Sequence, residues 1–130
     1  MSAFLLDTHV LIWAATRPDR LSELARTLVE DPANPLLVSA ASAWEIATKY
    51  RLGKLPGSAR LVADYRGVLG TLGARSLAIT EEHALAAGSL SGEHRDPFDR
   101  MLAAQAVLEN LEILTTDRCL AGLPGVRIRW

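Results

Sequence analysis

The chain has 130 residues, of which 49% are apolar and 22% charged, with a formal net charge of −1 and one cysteine. This is one domain's worth of an ordinary globular protein, with enough apolar residues to bury a core. It excludes a strongly basic nucleic-acid binder, an internal disulfide and a Cys/His zinc cluster. A single domain over residues 1–130 is expected. No apolar run is long enough to span a membrane, and the N-terminus lacks a signal-peptide pattern, so a cytoplasmic setting is expected.

Ala3 to Leu6 is a short apolar run of the kind found in buried strands, and it stops at Asp7-Thr8. Val10, Leu11, Trp13 and Ala14 follow at helical spacing until Pro18. A second helix is expected from Leu21 to Glu30. Leu36 to Val38 reads as a second strand, and Ser42-Ala43-Trp44-Glu45 has the form of a capping box for a helix ending near Arg51. Ser58 is placed to cap a helix running to about Leu69. Arg75 to Ile79 reads as a third strand, and Thr80-Glu81-Glu82 starts a short helix ending near Gly88. Asp96 and Pro97 then occupy N-cap and first-turn positions of a helix that is apolar almost all round, hence buried. Leu111 to Leu114 is a fourth strand ending at Thr115-Thr116-Asp117, and Val126 to Arg129 is a weak fifth. Short apolar strands alternating with helices predict an α/β domain with a mostly parallel sheet.

Four acids occupy related places in this pattern. Asp7 and Asp117 follow strands directly, while Glu45 and Asp99 lie near the starts of helices. In a parallel sheet the carboxyl ends of the strands share one edge, where ligands bind. Taken singly, each acid also fits a cap, a turn or a helix-dipole partner. Taken together they suggest a centre for a hard divalent cation, which takes oxygen ligands and keeps several waters. His9 and His83 read as isolated histidines without a catalytic pattern, and His94 adjoins the acidic group. Ser39 and Ser42 lack a His/Asp partner pattern for nucleophilic activation.

Four segments carry a resemblance: Leu5-Leu6-Asp7-Thr8-His9, Ser42-Ala43-Trp44-Glu45-Ile46 with Lys49, His94-Arg95-Asp96-Pro97-Phe98-Asp99-Arg100, and Leu114-Thr115-Thr116-Asp117. In this order they resemble the PIN-domain family, and within it VapC-type toxins of bacterial toxin–antitoxin pairs. The resemblance implies a three-layer α/β/α sandwich and a metal-dependent ribonuclease. It implies Asp7, Glu45, Asp99 and Asp117 as the acidic centre, with Asp7 and Asp99 as direct ligands of Mg²⁺, for which Mn²⁺ could substitute. A homodimer and a VapB-like antitoxin partner are implied as well. Asp96 is assigned to the helix cap.

Under this reading RNA phosphodiester bonds are hydrolysed, with Glu45 or Asp117 handling the attacking water and Lys49, Arg95 and Arg100 available to phosphate. The helices beginning near Leu21 and Ser58 carry the apolar stripes expected at a dimer contact. A haloacid-dehalogenase-like phosphatase also begins with an apolar strand ending in Asp, but it wants a second acid two residues on, where this chain has His9. A catalytically silent PIN-fold interaction protein is the non-enzymatic alternative.

Overall fold

The computed structural model describes residues 3–92 and 96–130. Apolar runs too short for helices form the strands: β1 (Phe4–Leu6), β2 (Leu36–Ser39), β3 (Ala74–Leu77), β4 (Glu112–Leu114) and β5 (Ile128–Arg129). They make one sheet in the order β3-β2-β1-β4-β5, and every pairing is parallel. The expected fifth strand is thus present, shortened to two residues.

Helices connect the strands: α1 (Thr8–Thr16), α2 (Glu23–Glu30), α3 (Ala40–Arg51), α4 (Ala59–Ala63), α5 (Tyr65–Leu72), α6 (Glu81–Ser89) and α7 (Pro97–Leu108). The single helix expected after Ser58 is two. The Ser58 side chain makes no cap bond, and the chain breaks at Asp64, whose carboxylate accepts a hydrogen bond from Gly67 N to cap α5. Gly73 ends α5 at φ +70°, a left-handed turn that suits glycine, and hands the chain straight into β3.

Alternation along the strands divides the core into two layers. Phe4, Leu6, Leu36, Val38, Ala74 and Leu114 face one way, joining Val10, Leu11, Ala25, Ile46, Leu61 and Leu69 from α1 to α5. Leu5 and Ile113 face the other way, against Leu102, Ala103 and Ala106 of α7 and Leu120 of a 3₁₀ turn at Arg118–Gly122. The result is an α/β/α sandwich, as the resemblance implies, around the parallel sheet that the alternation of strands and helices predicts. Helix α7 is buried through its middle, but Val107 and Leu108 in its last turn are exposed, so it is less enclosed than its composition suggests.

The strand order fixes where a site can lie. The chain moves from β1 out through β2 to β3, then crosses to the other side of β1 to lay down β4 and β5. Connections leaving β1 and β4 therefore part in opposite directions, opening a crevice beyond their carboxyl ends. Asp7 and Thr115 are the residues that follow these two strands.

Candidate active site

Asp7 is set by the sheet itself. Its backbone N–H donates to Leu114 O at 3.0 Å, carrying the β1–β4 ladder one step past the strand ends. Thr115, fully buried, donates its hydroxyl to Asp7 Oδ2 at 2.7 Å. The same hydroxyl oxygen accepts the Asp117 N–H at 2.9 Å, and Asp117 Oδ1 in turn accepts the Cys119 N–H at 2.9 Å. Thr115 thereby ties the Asp7 carboxylate to the turn that carries Asp117. Asp7 stands at the N-cap position of α1 but makes no side-chain cap bond. Its Oδ2 is instead held by Thr115.

Burial pushes the Asp7 carboxyl above the ordinary aspartate value, and the charge of Glu45 adds to this. The Thr115 hydroxyl, His9 and the Thr8 backbone pull it back only in part. Glu45 is thus close enough to Asp7 for their charges to be felt. A buried acid that is hard to ionise is a group whose charge calls for a counter-ion.

Glu45 arrives by a different route from the capping box its spacing suggests. The cap of helix α3 lies three residues before Ser42, where the Ser39 hydroxyl accepts from Ala41 N at 3.0 Å. Ser42 is buried within the helix, its Oγ 2.9 Å from Thr8 Oγ1 of α1. That places Glu45 in the second turn with its side chain turned inward, 6% exposed. Lys49, one turn on, donates to Glu45 Oε2 at 2.6 Å. The lysine expected to meet phosphate is therefore engaged with an acid of the site.

Helix α7 starts as its sequence requires. Asp96 accepts the N–H groups of Phe98 at 2.9 Å and Asp99 at 3.4 Å, and Pro97 occupies the first turn. Asp99 follows in that first turn, half-buried. Phe98 packs edge-on against Trp44 of α3 with ring centroids 5.0 Å apart, tying the starts of the two helices together. Arg100 departs from its expected role: its guanidinium donates to Ala87 O and Leu90 O, closing the carboxyl end of α6. His94 and Arg95 lie outside the described residues. His9 is exposed with its ring against Trp13, so the second acid of a dehalogenase-like site has no counterpart here.

Sequence reasoning missed Thr115, the residue that orients Asp7. Its signal was a hydroxyl directly after a buried strand and two residues before an acid, a place where a side chain can bond both backbone and neighbour. It also missed that Trp44 is exposed.

The donor atoms at this edge are carboxylate and hydroxyl oxygens, which suit a hard cation. Among the described residues no three Asp, Glu, His or Cys side chains stand close enough to hold an ion by themselves. Such a set fits an ion that keeps waters and takes only one or two protein carboxylates, and does not fit an all-protein cage.

A family model for the PIN domain matches residues 4–125. The chain belongs to the PIN-domain family. It is 31% identical over 121 residues to Ribonuclease VapC22 of Mycobacterium tuberculosis, covering 92% of this chain and 91% of that protein. A second match, to Ribonuclease VapC16 of the same organism, is 68% identical over 31 residues, spanning 24% of this chain and only 22% of that protein. Among solved structures, DNA-bound VapBC from Salmonella typhimurium superposes with a TM-score of 0.71 at 20% identity, covering 99% of this chain and 98% of that one. VapBC2 from Rickettsia felis, bound to a promoter DNA fragment, gives 0.70 at 16% identity over 98% and 97%. At these identities the two structures bear on the fold alone.

Proposed function

We propose that this chain is a metal-dependent ribonuclease and the toxin of a VapBC-like toxin–antitoxin pair. The observation that carries the reading is the Asp7–Thr115–Asp117 linkage at the β1/β4 crevice, in a chain that matches Ribonuclease VapC22 along nearly its whole length. The substrate is RNA, the partner an antitoxin, and the working form a homodimer in the cytoplasm. Leu24 of α2 and Val62 of α4, both exposed, supply apolar surface for the dimer contact.

Asp7 and Asp99 are the residues assigned to hold Mg²⁺, with Mn²⁺ as a substitute. The ion's chemistry here is to acidify a bound water and to stabilise charge on the phosphate and the leaving oxygen. The chain's own groups do the positioning. Thr115 fixes Asp7 Oδ2 and so orients the carboxylate. Lys49 holds Glu45 Oε2, and Oε1 is the atom assigned to accept the proton of the attacking water. Asp117, with Oδ1 engaged by the turn, orients that water through Oδ2. An antitoxin side chain that carried positive charge into this crevice would replace the cation, and arginine matches a carboxylate best.

The test is cleavage of single-stranded RNA by the purified protein with Mg²⁺. Activity is expected to vanish in excess EDTA and to fall at least about a hundredfold in Asp7→Asn, the scale of losing a group that acts on the reacting centre. Undiminished cleavage in EDTA would overturn the mechanism, and no cleavage by the unaltered protein with either metal would overturn the function.

A further inference from the structure

The proposed RNA substrate faces an acidic crevice in a chain that is net negative. Among the described residues, Lys49 is engaged by Glu45 and Arg100 by the carbonyls of Ala87 and Leu90, while Arg118, directly after Asp117, is exposed. A nuclease site normally draws much of its affinity from phosphate contacts. An exposed aromatic next to the acids can add a second source of affinity.

Trp44 is 66% exposed, a large apolar side chain left in water on α3. The buried stripe of that helix runs through Ala41, Ser42, Glu45 and Ile46, so Trp44 lies off it, on the flank beside Glu45. Among the described residues its ring partner is Phe98, which precedes Asp99, and the contact is edge-on at 70° between planes. An edge-on pair holds the indole in place without covering both of its faces. Trp44 and Phe98, in contact with each other, are each the immediate chain neighbour of a candidate catalytic acid, Glu45 and Asp99. Exposed rings fixed in this way are how single-stranded nucleic acids are gripped, because every base has a face that stacks whatever its identity.

We propose that Trp44, braced by Phe98, is a stacking platform for an unpaired nucleobase of the RNA, flanking the phosphate presented to Asp7 and Asp99. This rests on the ribonuclease reading for its substrate, but its basis is the exposed ring and its position. One property follows. Duplex RNA, whose bases are already stacked, is a poor ligand.

The test uses Asp7→Asn protein, which spares the RNA, with a fluorescently labelled single-stranded RNA octamer read by anisotropy in Mg²⁺ buffer. Adding Trp44→Ala is expected to weaken binding roughly 10- to 100-fold, as stacking losses do, while Trp44→Phe retains most of the affinity. A set of octamers with one abasic position moved along the strand separates stacking from mere support of α3 and α7. The penalty of Trp44→Ala should disappear on the octamer lacking the stacked base and persist on the others. A penalty equal on every octamer, an unchanged affinity in Trp44→Ala, or no binding by the Asp7→Asn protein overturns the platform. The two readings fail separately. An active protein whose Trp44→Ala form keeps its KM and kcat is a ribonuclease without a platform. An inactive protein that binds RNA through Trp44 keeps the platform and loses the ribonuclease.

Discussion

The two layers that sandwich the sheet are held together by different forces. The layer made of α1 to α5 rests on aliphatic packing: Leu6, Leu11, Ile46 and Leu61 are all 1% exposed or less. On the other side, α7 lays small residues, Ala103 and Ala106, against the sheet, and meets α6 through polar groups. There His83, 2% exposed, accepts the Thr80 N–H at Nδ1 and donates from Nε2 to Glu109 Oε1, each at 3.0 Å. Gln105, fully buried, donates to Ala78 O at 3.2 Å, and Arg100 closes the end of α6. Apolar contacts are non-directional and resist mainly loss of volume, whereas hydrogen bonds fix angles. The first layer therefore supplies bulk stability. The second fixes the rotation of α7, the helix that carries Asp99.

The contrast can be broken most forcefully at Leu11. Leu11→Ala is expected to cost about 3 kcal/mol, lowering the melting temperature by roughly 10 °C, while leaving RNA cleavage at low temperature near normal. At the polar seam the expected pattern reverses. His83→Ala removes the partner of a capping N–H and of Glu109, and should cost about 2 kcal/mol in urea unfolding. Because it loosens the rotation of α7, it should also lower RNA cleavage several-fold. Glutamine at that position keeps the capping box and should recover most of the stability. If Leu11→Ala impairs cleavage at low temperature more than His83→Ala does, the division of labour between the layers is wrong.

Asp7, at the sheet edge between the layers, has the smallest effect on stability and one of opposite sign. Its carboxyl is raised above the ordinary value of 3.8, so the folded protein holds that proton more tightly than the unfolded chain does. The ionised group therefore weighs against folding. Stability is lost as pH rises from the ordinary value through the folded one, and the loss stays constant above that. In EDTA near pH 7, Asp7→Asn should melt higher than the unaltered protein, and the gap should close as the pH falls below ~4. A lower melting temperature for Asp7→Asn near pH 7 would mean that the carboxylate has a compensating partner.

Those features of the fold that depend on local chemistry were legible in the sequence. Apolar runs three or four residues long gave β1, β2 and β4, and Asp96-Pro97 gave the start of α7, because a cap and a fixed φ act within a few residues. What depends on distant partners was not. The Ser42–Glu45 spacing satisfies a capping box, yet Ser39 caps the helix, Ser42 bonds Thr8 and Glu45 takes Lys49. Lys49 and Arg100 look available for phosphate in the sequence, but their partners lie one helical turn and one helix away. The break at Asp64 was readable, since an acid three residues before Gly67 can cap a new helix, but the apolar stripe continuing past it concealed the break. Of the acidic site, the strand-end places of Asp7 and Asp117 could be read. The hydroxyl that joins them could not, because it reaches Asp7 from 108 residues further along the chain.

That separation has a consequence for how the protein comes into being. Strand β1 is made well before its neighbour β4, which follows only after more than a hundred residues of intervening chain. Pairings this far apart in sequence close late, since the loop entropy must be met before the contact repays it. The β1–β2–β3 half can assemble during synthesis, yet Asp7 has neither Thr115 nor Asp117 beside it until β4 slots in. A chain that stops short of β4 therefore lacks the joined acids, and the site is assembled only once β4 is in place.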